Sequence, residues 1–225
     1  MSEALHQQLC FLTICRGKDF RPAYRKLGLI RDVFGNKPPW FVTSATLPNT
    51  QRENVLASLG IKDANLVDEN LNRPNLYYNL IVNNVGEKFR GGGTTPLDHI
   101  ANVDIADGIP QLKKTIIYFD SVETLGAMMD HLREILFQAG VSEGQMYRFI
   151  QGYDANRTTE AKDKVYSEFK SGECMIVLVT EAFGMGMDVP DIERVYLWGT
   201  SRSMSSLIQR CGRGARGRGR QFVRL

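Results

Sequence analysis

Two hydrophobic rhythms alternate along the second half of the chain. "KTIIYFD" is a short, continuous apolar run. In "SVETLGAMMDHLREILFQAG", which follows it, apolar residues return every three or four positions. Runs of the first kind predict buried strands and runs of the second predict amphipathic helices. The pattern recurs: "QMYRFIQG" reads as a strand, "NRTTEAKDKVYSEFKSG" as a helix, "CMIVLVT" and "ERVYLWG" as strands, "SMSSLIQRCGR" as a helix and "RQFVRL" as a last short strand. Strands alternating with helices imply βαβ units and a parallel sheet covered on both faces. Right-handed crossovers make this a doubly wound α/β domain over residues 111–225. Ser121 stands where it can cap the first helix, but Thr124 occupies the position where a full capping box has Glu or Gln.

The first half repeats the alternation less completely. In "FRPAYRKLGLIRDVF", Tyr24, Leu27, Ile30 and Phe34 recur at helical spacing until "GNKPP" stops the pattern. "WFVTSAT" reads as a strand, "PNTQRENVLASLGI" as a helix and "NLYYNLIVNN" as a further strand. Residues 1–83 are therefore read as part of a second domain of similar build. The stretch 84–110, with "RGGGTTP" and "ADGIP", is read as a linker holding a short helix around Leu97–Val103.

The composition is that of a globular protein: 43% hydrophobic and 24% charged residues, with a formal net charge of only +3. The charge is unevenly spread. Six arginines fall within the last seventeen residues, with no acid among them, which points to a polyanion partner. No apolar run approaches the roughly 18 residues that span a bilayer, and "CFLTIC" is shorter than the apolar core of a secretory signal. No membrane association is expected, and the location is read as the nucleus in a eukaryote and otherwise the cytoplasm. Cys10, Cys15, Cys174 and Cys211 have no paired spacing and read as reduced thiols. His6, His99 and His131 are far apart and read as surface residues, so no metal site is expected.

In open parallel sheets, ligands gather beyond the carboxyl ends of the strands. The residues there are small, hydroxylated or glycine: Ser44-Ala45-Thr46, Asp120-Ser121, Tyr153-Asp154, Thr180 through Gly186, Gly199-Thr200-Ser201 and the arginines of "QRCGRGARGRGR". Low bulk, exposed N–H groups and hydroxyls suit phosphate contacts. Gln209, Arg213 and Arg216 are four and three residues apart, so they share one helix face if the helix continues that far.

"VLVTEAFGMGMDVPDIERVYLWG" followed by "LIQRCGRGARG" resembles the second motor domain of superfamily-two helicases. "AFGMGMDVPDI" is most similar to the RecQ family of DNA helicases. "DFRPAYRKLG", "SATLP", "NRPNLYY" and "IIYFDSVE" match that family in the same order, from about Gly17 onward. The resemblance implies two RecA-like domains, α/β with helices on both sheet faces, the first only partly present, with ATP and Mg2+ between them and a DNA strand across their top. It implies an ATP-dependent helicase unwinding 3′-to-5′, acting on single-stranded DNA and duplex junctions.

Carried over by position, Ser44, Ala45 and Thr46 link nucleotide state to strand binding. Asp120, Ser121, Thr180, Ala182, Phe183 and Gly184 face the strand. Gly186 and Asp188 approach the nucleotide, and Gln209, Arg213 and Arg216 form the last motif, whose arginines act on the γ-phosphate. An arginine supplied in this way is worth about 10³–10⁵ in rate in related hydrolases.

The likeness departs at three positions. Arg16 stands where the family has an aromatic, Asp154 where it has His, and Arg210 where it often has an acid, which makes the tail more basic. The phosphate loop G-x-x-x-x-G-K-[ST] is absent from the sequence. Its only Gly-Lys pair, Gly17-Lys18, is followed by Asp19. "LVDEN" lies after "SAT", whereas the family's acidic box precedes it, and reads as a polar loop. The chain alone is expected to be inactive, with the upstream helicase half as its partner. The other readings are a non-catalytic nucleic-acid-binding remnant and a piece that docks on an intact helicase.

Overall fold

A computed structural model describes residues 9–10, 28–34, 41–43, 49–68, 72–80, 95–183, 188–201, 203–214 and 221–224. The chain divides into two compact units, Met1–Asn72 and Arg73–Leu225. In the first, strands β1 (Leu9–Cys10) and β2 (Val42–Thr43) pair in parallel, accompanied by helices α1 (Leu29–Phe34) and α2 (Asn49–Ser58). Val55 of α2 and Leu59, just past its end, are buried. Gly28 sits where a Cβ would come within 2.3 Å of the Ser58 carbonyl oxygen, so no larger residue fits this approach.

The second unit is built on a six-stranded, wholly parallel sheet. Its strands are β3 (Leu76–Asn79), β6 (Thr115–Phe119), β7 (Ile150–Tyr153), β8 (Ile176–Val179), β9 (Arg194–Trp198) and β10 (Gln221–Arg224), in the order β3-β10-β9-β6-β8-β7. Between β3 and β6 lies a short hairpin of β4 (Ile105–Ala106) and β5 (Ile109–Pro110). The helices are α3 (Val122–Gln138), α4 (Glu143–Phe149), α5 (Thr159–Ser171) and α6 (Met204–Cys211).

Alternation along the strands creates one core on each face. Ile116 and Tyr118 of β6 join Val177, Val179, Val195 and Leu197 beneath α5 (Val165, Phe169) and α6 (Cys211). Ile117 and Phe119 join Ile176, Leu178 and Tyr196 beneath α3 (Leu125, Met128, Leu132, Leu136). Both faces being covered explains why these strands read as unbroken apolar runs. The expected doubly wound α/β sheet is what the chain forms.

Three differences from the sequence reading have physical causes. First, β3, read as the end of the first segment, pairs with β10 (Leu76↔Gln221 to Asn79↔Arg224) and belongs to the second unit's sheet. The boundary therefore moves upstream from residue 83. Second, the described part of the expected linker is packed. Leu97, Ile100 and Ala101 are buried around a 3-10 turn (Asp98–Ile100), and Asp107-Gly108, both at positive φ, close the β4–β5 hairpin. His99 (2.8 Å to Tyr196 Oη) and His131 (2.9 Å to Asp98 Oδ1) tie this turn to β9 and α3, so neither is a simple surface residue. Third, Glu143–Phe149 is helical. A capping box between Ser142 and Gln145 starts α4, and only Ile150–Tyr153 continue as strand.

At the opposite end of β6 from the strand tips, the Lys114 side chain is 4% exposed. Its ammonium donates to Asp191 (2.9 and 2.8 Å) and to the Lys170 carbonyl (3.2 Å), 5.3 Å from the centre of the Phe169 ring.

Burial also governs the two described thiols. It pushes Cys174 up to about 12 and Cys211 up to about 11, and both side chains are enclosed. With so little thiolate, both are expected to resist iodoacetamide at pH 8 in the native protein and to react once guanidinium unfolds it. Site-resolved mass spectrometry checks this, and rapid native labelling of either would contradict it.

Candidate functional site

Because all six strands run in parallel, the residues after β6, β7, β8 and β9 lie along one edge of the sheet. β6 delivers Asp120 and Ser121. Ser121 Oγ accepts from the Thr124 N–H at 3.4 Å and caps α3, with no return bond from Thr124, as the incomplete box predicts. β8 delivers Thr180, whose N–H donates to the Tyr153 carbonyl at 3.2 Å, and then one 3-10 turn, Glu181–Phe183. β9 delivers Gly199 at φ +99, next to Asp120. Ser121, Thr180 and, two residues beyond Gly199, Ser201 line this edge, with the N-terminus of α3 behind Ser121 and that of α6 behind Ser201, which suits contacts to phosphate oxygens.

Asp154, in the position noted for His, does not face solvent. It is 5% exposed, and its carboxylate accepts from Arg157 Nε (3.0 Å) and the Asn156 N–H (2.9 Å), closing the turn into α5. Asp188 is exposed, and its backbone is held by the Tyr166 hydroxyl from both sides (N–H 3.3 Å, carbonyl 3.2 Å).

Phe183 corrects an expectation. It is 1% exposed and lies edge-on to Tyr153 (5.0 Å between ring centres) and Phe169 (6.3 Å). It anchors the 3-10 turn in the core.

Arg213 of the last motif is also arranged differently from the sequence expectation. α6 ends at Cys211, and Gly212 and Arg213 form a turn in which the Arg213 N–H donates to the Arg210 carbonyl at 3.2 Å. Gln209 is on the helix, exposed, and Arg213 lies beyond its end, half-buried, so the shared helical face does not extend to Arg213. Its charge acts on Tyr118, whose hydroxyl burial pushes up to about 12 against the opposing pull of Arg213 and Arg210. Ser44, Ala45, Thr46, Gly184, Gly186 and Arg216 lie outside the described residues, as does the side chain of Ala182.

Two residues gain roles that the sequence did not suggest. Arg73, from "NRPNLYY", donates to the carbonyls of Gly212 (3.4 Å) and Gly214 (3.1 Å), clamping the turn on either side of Arg213. Arg210 does not extend a basic tail. Its side chain is 7% exposed, bonded to Glu181 and, at 3.3 Å, to Asp120. No local pattern announces either contact, because both partners are remote in sequence. Among the described residues no cluster of His, Cys, Asp and Glu could hold a metal ion, and no helix is long and apolar enough to cross a membrane.

The site is thus a hydroxyl-lined sheet edge next to an arginine-bearing helix end, on a doubly wound domain. Residues 101–218 match the family model "Helicase conserved C-terminal domain", and the chain belongs to that family. Its likeness is to RecQ-type sequences within superfamily two. The chain is 30% identical over 201 residues to ATP-dependent DNA helicase Q1 of Rattus norvegicus, covering 89% of this chain and 29% of the relative. It is 28% identical over 200 residues to ATP-dependent DNA helicase RecQ of Pasteurella multocida, covering 89% and 28%. The chain thus spans less than a third of these relatives' length.

Among solved structures, Saccharomyces cerevisiae Dbp5 L327V bound to RNA and ADP BeF3 aligns over 95% of this chain and 50% of its own, at TM-score 0.65 and 14% identity. Helicase MrfA bound to DNA and AMPPNP aligns over 89% and 27%, at TM-score 0.62 and 21% identity. These likenesses establish the RecA-like fold.

Proposed function

We infer that this chain supplies the second motor domain of a RecQ-like ATP-dependent DNA helicase working 3′-to-5′, together with part of the first. The observation that carries this reading is the family match over residues 101–218, laid on a sheet whose tips hold Ser121, Thr180 and Ser201 along one edge. Ser121, Thr180 and Gly184 would contact the DNA backbone, with Asp120 beside them, and the resemblance gives Ser44 and Thr46 a DNA-contacting role of their own. Gly186, Asp188 and Gln209 would meet the nucleotide.

Arg213 and Arg216 would stabilise charge on the transferring phosphoryl group of ATP when the two domains close. Arg73 supports this for Arg213, since bonds to the Gly212 and Gly214 carbonyls fix the backbone that carries Arg213. ATP and Mg2+ enter through the family. Among the described residues the sheet edge offers hydroxyls suited to phosphate oxygens, and no group of three or more His, Cys, Asp or Glu could hold a metal ion.

A second reading is a nucleic-acid-binding module without catalysis, which the six arginines within the last seventeen residues suit. Under either reading the chain binds single-stranded DNA. Anisotropy of a labelled oligothymidine titrated with the full chain at several salt concentrations is expected to give a log–log slope near about −4, at about −0.7 for each of roughly six phosphate contacts. ATP turnover with that DNA should stay at background. A flat salt response would remove the phosphate-binding basis of both readings, and DNA-stimulated turnover would exclude the second.

A further inference from the structure

Helix α6 and the turn after β8 are joined by a charge network around the buried Arg210. The Arg210 guanidinium bonds Glu181 and lies 3.3 Å from Asp120 Oδ1, with its centre 5.3 Å above the Tyr118 ring. One turn earlier on the same face of α6, Ser206 Oγ donates to the Glu181 carboxylate at 3.1 Å. Two residues four apart on α6 thus hold one glutamate. Arg210 Nε is buried and makes no hydrogen bond among the described residues, so the guanidinium is placed by its carboxylates and the Tyr118 ring.

Glu181 opens the 3-10 turn that Phe183 closes in the core. The turn is therefore fixed at one end by packing and at the other by α6. Its neighbours in sequence, Thr180 and Gly184, are residues assigned above to DNA, whereas α6 carries Gln209 and the turn after it Arg213, assigned to the nucleotide.

We propose that Arg210 is a positioning residue: through Glu181 and Asp120 it locks the DNA-facing turn after β8 to the nucleotide-facing helix α6, so that the two move as one piece. The proposal rests on the helicase reading for its functional meaning, but the lock itself is a property of the fold. Arg210 and Glu181 also form a matched pair, so the acid-to-arginine departure at 210 has its counter-charge within the same site. A buried guanidinium facing two carboxylates is replaceable by an apolar side chain only if the carboxylates are removed with it. Coupling of this kind acts through a contiguous set of contacts and is measured as the non-additivity of paired substitutions.

Four variants of the full chain separate positioning from a simple electrostatic effect. Arg210→Met breaks the lock and leaves two carboxylates uncompensated near the strand tips. Arg210→Met with Glu181→Gln breaks it while keeping the local charge of the wild type. Arg210→Glu with Glu181→Arg rebuilds the pair in reverse. Glu181→Gln alone weakens the lock at a more exposed position, and keeps the test open if Arg210→Met fails to fold.

Two readouts are taken, oligothymidine affinity and amide hydrogen exchange at Phe183, whose N–H donates to the Thr180 carbonyl at 3.2 Å. Arg210→Met and the neutral double variant are both expected to bind DNA about tenfold more weakly and to exchange about tenfold faster at Phe183 than wild type, relative to β6 amides. Glu181→Gln should shift both in the same direction, and the reversed pair should return to within about threefold of wild type.

Wild-type affinity in the neutral double variant would mean that charge alone acts, and would overturn the proposal. So would unchanged Phe183 exchange in Glu181→Gln and the neutral double variant. A wild-type chain that binds no DNA would instead sink the helicase reading, and the exchange data alone would then decide whether the lock exists.

Discussion

Phe183→Ala is expected to destabilise the second unit by about 3–5 kcal/mol, the range for truncating a fully buried aromatic side chain. The family resemblance places this residue against the DNA strand, and a contact residue would behave in the opposite way, with stability kept and affinity lost. In the structure the ring is 1% exposed and meets Tyr153 and Phe169 edge to face. Each such ring pair adds about 0.5–1.5 kcal/mol beyond burial, and removing the ring empties a space that strands β7 and β8 and helix α5 cannot collapse to fill. Guanidinium denaturation of the full chain, followed by far-UV circular dichroism, reads the loss directly. A variant with the wild-type midpoint and weakened DNA binding would return Phe183 to the strand-facing surface.

The second large effect falls on the exposed partner of a buried charge. Lys114→Met swaps a 4%-exposed ammonium for an apolar chain of similar length beside Phe169, and leaves Asp191, 62% exposed, to be solvated by water. A loss of at most about 1 kcal/mol follows, mainly from the unpaired Lys170 carbonyl. Asp191→Ala is more damaging, because the ammonium stays buried without its counter-charge. Breaking a fully buried pair costs about 3–5 kcal/mol, and the exposure of Asp191 lowers the expected loss to about 2–3 kcal/mol. The surface substitution is therefore expected to exceed the interior one. Equal midpoints for the two variants, or the reverse order, would show that Lys114 is held by packing and not by charge.

The elements that were legible in the sequence share a physical character. β6, β8 and β9 are buried on both faces and announce themselves as apolar runs, and α3 and α5 bury one stripe each. What escaped depends on remote partners or on a single local signal of the other kind. The aromatic, Met-containing stretch from Gln145 to Phe149 looks strand-like, yet Ser142 and Gln145 cap it into a helix. β3 has two exposed tyrosines and reveals its allegiance only by pairing with β10.

In the candidate site, the strand-end positions followed directly from the alternation. The side-chain roles did not. Gly212 stops α6 before Arg213, Phe183 turns inward, and Arg210 finds its carboxylates on β6 and β8 connections distant in sequence. Helical spacing predicts faces, but it cannot foresee where a helix stops or which acids a tertiary fold will bring to it.

The strand order has a consequence for synthesis. Among the described residues the first strand of the second unit's sheet, β3, borders no strand except β10, the last described strand to leave the ribosome. Until Gln221–Arg224 emerge, the backbone of Leu76–Asn79 lacks its β10 ladder partner, although β9, β6, β8 and β7 can already assemble. Folding should thus proceed from an early four-stranded nucleus to a late zippering of two strands at one margin. Chains shortened before Gln221 should keep the nucleus and release the Leu76–Asn79 segment to proteases.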